Sequence, residues 1–225
     1  MVPQHIAIIM DGNRRFAKNR GIPVKEGHRL GGEQLEIITD AAVDLGVKTL
    51  TVYGFSTENW RRPALEVKVL MNLVENFLKS KRASMVERGV CFNVIGDLSK
   101  LNKNLLSEIA LTQEATKGCN RINLVVGLNY GARDEIVRAA KKMAEKIPAK
   151  DFCEEALSAS LDTAPWGDPD LLIRPGGEMR LSNFLLWQMS YAEIYVTDRL
   201  WPEFGVDELK KAVHAYSLRD RRGGE

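Results

Sequence analysis

The sequence predicts an α/β fold, a mostly parallel sheet with helices on both faces. Three observations carry this. Several short runs are nearly all apolar, as expected of strands covered on both sides. Between them lie longer stretches whose apolar residues recur at three- and four-residue spacing. The two kinds of segment alternate along the chain, the pattern of β-α-β units. Strand candidates are residues 6–10, 49–55, 90–95, 121–128 and 171–174, with 193–196 as a further one. Helical stretches are expected at about 31–45, 64–88, 101–117, 132–146 and 153–162, and a last one at 207–218 follows the Trp201-Pro202 turn. In the longest of these, Val67, Leu70, Met71, Val74, Phe77 and Leu78 form one stripe, which suits either core packing or one wall of an apolar tunnel. No repeat, low-complexity segment or Pro/Gly linker divides residues 1–225, so one domain is expected.

Composition narrows the function classes. The 225 residues are 44% hydrophobic and 28% charged, ordinary values for a globular protein. The formal net charge is +2, from 32 basic and 30 acidic residues, unlike the strongly basic face of a nucleic-acid binder. No apolar run approaches the roughly 18 residues that would span a membrane. The first ten residues show no secretory leader, so a cytoplasmic location is expected, or a plastid stroma if a plant transit peptide has been removed. Cys91, Cys119 and Cys153 are odd in number and widely spaced, which suits a reducing compartment and no cysteine-based zinc site. Neither a G-x-G-x-x-G nor a phosphate-binding glycine-lysine loop is present; Gly46-Val47-Lys48-Thr49 lacks the spacing and precedes a strand.

Chemistry gathers at three strand ends. The run Ile6–Met10 breaks into Asp11-Gly12-Asn13-Arg14-Arg15, ahead of the first expected helix. Gly12 lets the backbone approach a ligand, the arginines offer planar forks for phosphate oxygens, and Asp11 suits a divalent cation. The same residues also suit a capped turn with solvated arginines. The second strand ends in Phe55-Ser56-Thr57-Glu58-Asn59-Trp60-Arg61-Arg62-Pro63, where Ser56 or Thr57 could cap a helix and Trp60 could anchor the core. A third cluster, Arg174-Pro175-Gly176-Gly177 through Arg180, Ser182 and Asn183, repeats the logic of the first and could hold a second diphosphate-sized anion. The C-terminal Arg219–Gly224 segment by itself reads as a solvated tail.

Met10–Arg15, Gly27-His28, Phe55–Trp60 with Arg62-Pro63, and Arg174–Glu178 through Ser182–Gln188 occur in the order that resembles the cis-prenyltransferases, the family of undecaprenyl and dehydrodolichyl diphosphate synthases. The resemblance runs from residue 3 to 224. It implies a six-stranded mainly parallel sheet, an apolar tunnel beside the long helix, a homodimer, and Mg²⁺-dependent condensation of isopentenyl diphosphate with an allylic diphosphate. By the same resemblance, Gly12, Asn13, Arg14, Arg15 and His28 hold the allylic diphosphate, with Arg62 beside them. Arg174, Arg180 and Ser182 hold isopentenyl diphosphate, joined across the dimer by Arg222 and Gly224 of the C-terminal R-x-G. Asp11 and Glu193 place the metal; Ser56, Asn59, Trp60 and Arg62 belong to the loop linked to proton removal and closure. Asp11 and the Ser56–Asn59 pair are both candidates for the base. Phe16, Phe55 and Trp60 suit a role in shielding a carbocation from water, and Phe77, Leu78 and Leu124 suit a tunnel floor; packing is the plain alternative for each.

Departures from the family pattern matter too. Val24 stands where many members have an arginine four residues before the histidine, with Lys25 beside it. Phe16 replaces a frequent tryptophan, Pro175 a usual threonine and Met179 a histidine, and Gly223 stands where an aromatic is common. Val24 is compatible with a short or unusual allylic substrate. A short-chain product, irregular coupling of two dimethylallyl diphosphates (a lavandulyl-type product) and a medium or long polyprenyl product, the last with a peripheral membrane contact, therefore all stay open. A non-catalytic partner subunit is disfavoured by the complete Asp11–Arg15 loop with Arg174, Arg180 and Glu193.

Overall fold

The computed structural model describes residues 1–219. Its strands are β1 (His5–Ile8), β2 (Thr49–Ser56), β3 (Val90–Ile95), β4 (Ile122–Tyr130), β5 (Leu171–Pro175) and β6 (Glu193–Thr197). The helices are α1 (Asn13–Arg20), α2 (Val24–Asp44), α3 (Ala64–Glu87), α4 (Lys103–Thr116), α5 (Ala132–Lys146), α6 (Glu154–Ser158) and α7 (Val206–Ser217). The six strands form one sheet in the order β3-β4-β2-β1-β5-β6, and every pairing is parallel.

Alternation along the strands divides the core in two. Ile6 and Ile8 of β1, Leu50 and Val52 of β2, and Leu171 and Ile173 of β5 join a large apolar cluster with Ile38 of α2, Met71 of α3, Leu105 of α4 and Leu209 of α7. Ala7, Ile9, Val125 and Leu172 face the other way, against Ala132 of α5 and Phe184, Leu185 and Met189 of the 181–189 loop. Fully burying one such aliphatic side chain contributes about 1.5–3 kcal/mol, so both layers hold the sheet. No helix of the described residues is long and apolar enough to cross a membrane.

Topology selects one place for ligands. The chain leaves β1 toward β2 on one side and leaves β5 toward β6 on the other, so the order reverses between the neighbours β1 and β5. Ligands of open α/β sheets bind at the carboxyl ends of the strands at such a switch point. Asp11 follows β1 there, and Arg174 is the penultimate residue of β5.

Four expectations differ from the structure. The Asn13-Arg14-Arg15 run is not a loop ahead of the first helix; it is the first turn of α1. Gly12 makes this start, at φ 111, in the left-handed region open to glycine. Helix α2 begins at Val24, seven residues before the expected 31. Its glycines hide the helical pattern but serve contact: a Cβ on Gly27 would stand 2.5 Å from the Asn13 carbonyl oxygen, and one on Gly31 would stand 2.2 Å from Asn13 Oδ1. The expected 153–162 helix contracts to α6. The proposed tunnel floor is core instead: Leu78 and Leu124 are 1% and 2% exposed within the large cluster, and Phe77 packs against its edge.

Gly31 also offers its carbonyl to the buried Trp201 indole N–H at 2.8 Å. A Cβ there meets both Asn13 and Trp201 Cδ1, at 2.2 and 3.0 Å. Gly31→Ala is therefore expected to lower the unfolding free energy by about 1–3 kcal/mol, measured by urea denaturation; a variant as stable as the parent would overturn this account of the α1–α2 contact.

Candidate active site

A cavity of about 670 Å³ opens over the carboxyl ends of β1, β2 and β5. Its centre is a group of charges held across the switch point. The Arg174 guanidinium, 4% exposed, donates from Nη2 to Asp11 Oδ2 at 2.9 Å. Its Nη1 donates to Ser182 Oγ at 2.9 Å and, more closely, to the Arg180 carbonyl oxygen. On the other side, Arg15 Nη2 lies 3.3 Å from Asp11 Oδ1, while Arg15 Nη1 donates to the Gly176 carbonyl at 2.7 Å. Gly176 makes room for this, since a Cβ there would meet Arg15 Nη2 at 2.4 Å.

A second group of arginines lines the cavity beside α1 and the 57–62 turn. Glu66, in the first turn of α3, lies 3.6 Å from Arg14 and 3.3 Å from Arg62, so one carboxylate holds two guanidinium groups together. His28 of α2 completes this side. Burial, helped by the nearby Arg62 and Arg14 charges, lowers its pKa to about 4, so it is neutral at pH 7. Three buried polar atoms of cavity-lining residues lack hydrogen-bond partners: Asn13 Oδ1, His28 Nε2 and Arg174 Nε. Buried polar atoms are normally satisfied; Asn13 Oδ1 is covered by Gly31 of α2, which leaves His28 Nε2 and Arg174 Nε as the two that a ligand would complete. The free N–H groups at the start of α1 and five cavity-lining arginines (Arg14, Arg15, Arg62, Arg174 and Arg180) favour a polyanion.

The remaining wall comes from the end of β2 and from the 180–183 loop. Ser56 and Asn59 form a reciprocal cap, with the Ser56 amide donating to Asn59 Oδ1 at 3.1 Å. Trp60 donates from its indole to Asn129 Oδ1 at 2.7 Å and meets Phe55 edge to face at 5.2 Å. Phe55 is buried in the large cluster and Trp60 packs against it, so these rings support the turn, and neither lines the cavity. Phe16 also lies outside the cavity lining, its ring under the Arg20 guanidinium at 5.5 Å.

The structure thus brings together Asp11, Gly12, Asn13, Arg14, Arg15, His28, Ser56, Asn59, Arg62, Arg174, Arg180 and Ser182. Glu193 is not among them. It pairs with Leu171, which pairs with Ile6 at the amino end of β1, and its carboxylate lies 3.7 Å from Arg219. Asp11 lies beyond the other end of β1, on the order of 15 Å away at the rise of an extended strand. Within one chain, Asp11 and Glu193 cannot share a cation. Among the described residues no group of three or more His, Cys, Asp or Glu side chains could hold a metal. Asp11 nevertheless suits Mg²⁺, which takes one or two carboxylates together with substrate phosphate oxygens. Arg222 and Gly224 lie outside the described residues. Glu66 and Tyr53 support the site without having been singled out by motif or spacing: Glu66 joins Arg62, four residues before it, to Arg14, and Tyr53 donates to the Tyr130 carbonyl.

The family profile described as "Putative undecaprenyl diphosphate synthase" matches residues 9–224. The isoprenyl transferase of Aquifex aeolicus is 46% identical over 223 residues, covering 99% of this chain and 96% of its own. That of Chlamydia pneumoniae is 45% identical over 233 residues, covering 100% and 93%. The crystal structure of lavandulyl diphosphate synthase from Lavandula x intermedia in complex with dimethylallyl diphosphate superposes with a TM-score of 0.96 at 38% identity, covering 100% of this chain and 99% of that one. The chain belongs to the cis-prenyltransferase family, and it is a prenyltransferase.

His28 makes the site sensitive to acid. Between about pH 4 and 6.5 the unfolded chain binds a proton that the folded chain refuses, so this residue makes stability rise with pH across that window and level off above it. His28→Gln is expected to flatten that rise by up to about 1.4 kcal/mol per pH unit, measured by urea denaturation from pH 4.5 to 7.5; parallel profiles for parent and variant would refute a depressed His28 pKa.

Proposed function

We propose that the chain condenses isopentenyl diphosphate with a short allylic diphosphate, with Mg²⁺, forming the new double bond in cis. The observation that carries the reading is a single cavity with two guanidinium groups, Arg14/Arg62 and Arg174/Arg180, on either side of Asp11. One suits the allylic diphosphate, with the start of α1, Asn13 and His28; the other, with Ser182, suits isopentenyl diphosphate. As the allylic carbon–oxygen bond breaks, negative charge grows on the departing diphosphate. Fixed guanidinium groups and helix N–H groups stabilise that charge without reorganising. The isopentenyl double bond then attacks the allylic carbon, and one proton leaves the isopentenyl unit to an oxygen base. Asp11 and Ser56 Oγ are the candidates within the cavity, the latter oriented by the Asn59 cap. Mg²⁺ bound by Asp11 and phosphate oxygens would neutralise diphosphate charge. Exposed Tyr191 and Ile194 beside the edge strand β6 offer an apolar face for a homodimer.

A second reading, coupling of two dimethylallyl diphosphates, draws on the close superposition with lavandulyl diphosphate synthase and on Val24, which lies outside the cavity lining. Product analysis with dimethylallyl diphosphate and Mg²⁺, with and without isopentenyl diphosphate, decides between them. A cis product only when isopentenyl diphosphate is present supports the first reading; a branched ten-carbon product without it supports the second; no diphosphate release in either case refutes both. Asp11→Asn is expected to lower kcat by about 10²–10³-fold while the fold persists, checked by diphosphate release and circular dichroism. Near-normal turnover would remove Asp11 from the chemistry.

A further inference from the structure

Asn183 sits where three segments meet. Its side-chain Nδ2 donates to Glu58 Oε1 at 2.9 Å, reaching the turn that carries Ser56, Asn59 and Arg62. Its Oδ1 accepts from the Arg133 amide at 3.0 Å, and its main-chain carbonyl accepts from the Ala132 amide at 2.8 Å. These are the first N–H groups of α5, which an ordinary cap would satisfy; Gly131, before them, has no side chain to do so. Asn183 itself lies in the loop with Arg180 and Ser182, in left-handed backbone at φ 62, and Ser182 and Leu185 beside it also have positive φ. The space is closed around the contact: a Cβ on Gly131 would stand 2.6 Å from Thr57 Oγ1 and 2.7 Å from Asn183 Nδ2.

We propose that Asn183 is a positioning residue that fixes the distance between the two halves of the active site, using the rigid start of α5 as its support. This rests on the two-substrate reading above. The Ser56–Arg62 turn and the Arg180–Ser182 loop carry groups assigned to different substrates, and no main-chain hydrogen bond joins them directly among those of the described residues. The Glu58–Asn183 bond joins them. Glu58 is exposed, so the bond adds little to stability. Its effect falls on alignment of the isopentenyl double bond with the allylic carbon, where a displacement of about 1 Å costs up to a hundredfold in rate.

The residue types allow a clean test. Asn183→Asp keeps an oxygen for the Arg133 amide and tolerates the left-handed backbone, but removes the donor to Glu58 and sets two carboxylates together. Glu58→Gln in that background supplies a donor and restores the bond in reverse. Asn183→Asp is expected to lower kcat about tenfold or more, to bind each diphosphate alone within about threefold of the parent by calorimetry, and to unfold at an unchanged temperature. The double variant is expected to regain most of the lost rate. Parental kcat in Asn183→Asp, a double variant as slow as Asn183→Asp, or loss of one diphosphate in proportion to the rate each overturns the proposal, as does a fall in unfolding temperature that accounts for the lost activity. A parent chain that releases no diphosphate overturns the two-substrate reading and this inference with it; a parent that turns over beside an equally fast Asn183→Asp overturns this inference alone.

Discussion

The structure depends most on the contact between Asp11 and Arg174. A guanidinium buried at the end of a central strand is costly unless charge and hydrogen bonds replace its water. Asp11 supplies the charge, and Ser182 Oγ and the Arg180 carbonyl supply the bonds. In doing so they tie the ends of β1 and β5 to the 180–183 loop, so the two sides of the switch point cannot move independently. The Arg174 Nε and the hydrogen-bonding capacity of Asp11 are what remain for a ligand. One contact thus stabilises the site and presents both arginines to an anion.

Close approach is the second constraint. Helix α1 brings Asn13 and Arg14 to the cavity only because α2 presents Gly27 and Gly31 beneath it. The 182–185 loop bends back through three non-glycine residues with positive φ, a costly conformation that persists when neighbours over-determine it. Tyr53 provides part of that support. Its ring stacks on Phe184 at 4.4 Å, and its hydroxyl donates to the Tyr130 carbonyl at 3.1 Å. Rigidity in the apolar layer beneath is thereby passed to the polar loop above it.

Electrostatics divides the labour among acidic residues. Glu66 holds Arg14 and Arg62 side by side, a repulsive arrangement without it, and Asp11 does the same for Arg15 and Arg174. Each carboxylate keeps a pair of guanidinium groups preorganised, and a diphosphate would take over the pairing. His28 stays neutral because burial and these same arginines disfavour a further positive charge.

Strands and most helices were legible in the chain because burial imposes a period of two or near 3.6 on apolar residues, and β2 through β6 fell close to the expected ranges. The clusters at Asp11–Arg15, Ser56–Arg62 and Arg174–Ser182 were legible because dense polar side chains at strand ends need a partner. Other features were decided only in three dimensions. Leu78 on the α3 stripe and Leu124 on β4 suited a tunnel floor, yet both pack as core, since periodicity marks a buried face without saying what fills it. The start of α2 was masked by glycines whose value lies in contact with α1. Glu193, Glu58 and Asn183 make the same point from both directions. Local sequence shows which groups need a partner, whereas sheet register and loop closure choose that partner from a hundred or more residues away: they carried Glu193 to the far end of the sheet and set Glu58 against Asn183.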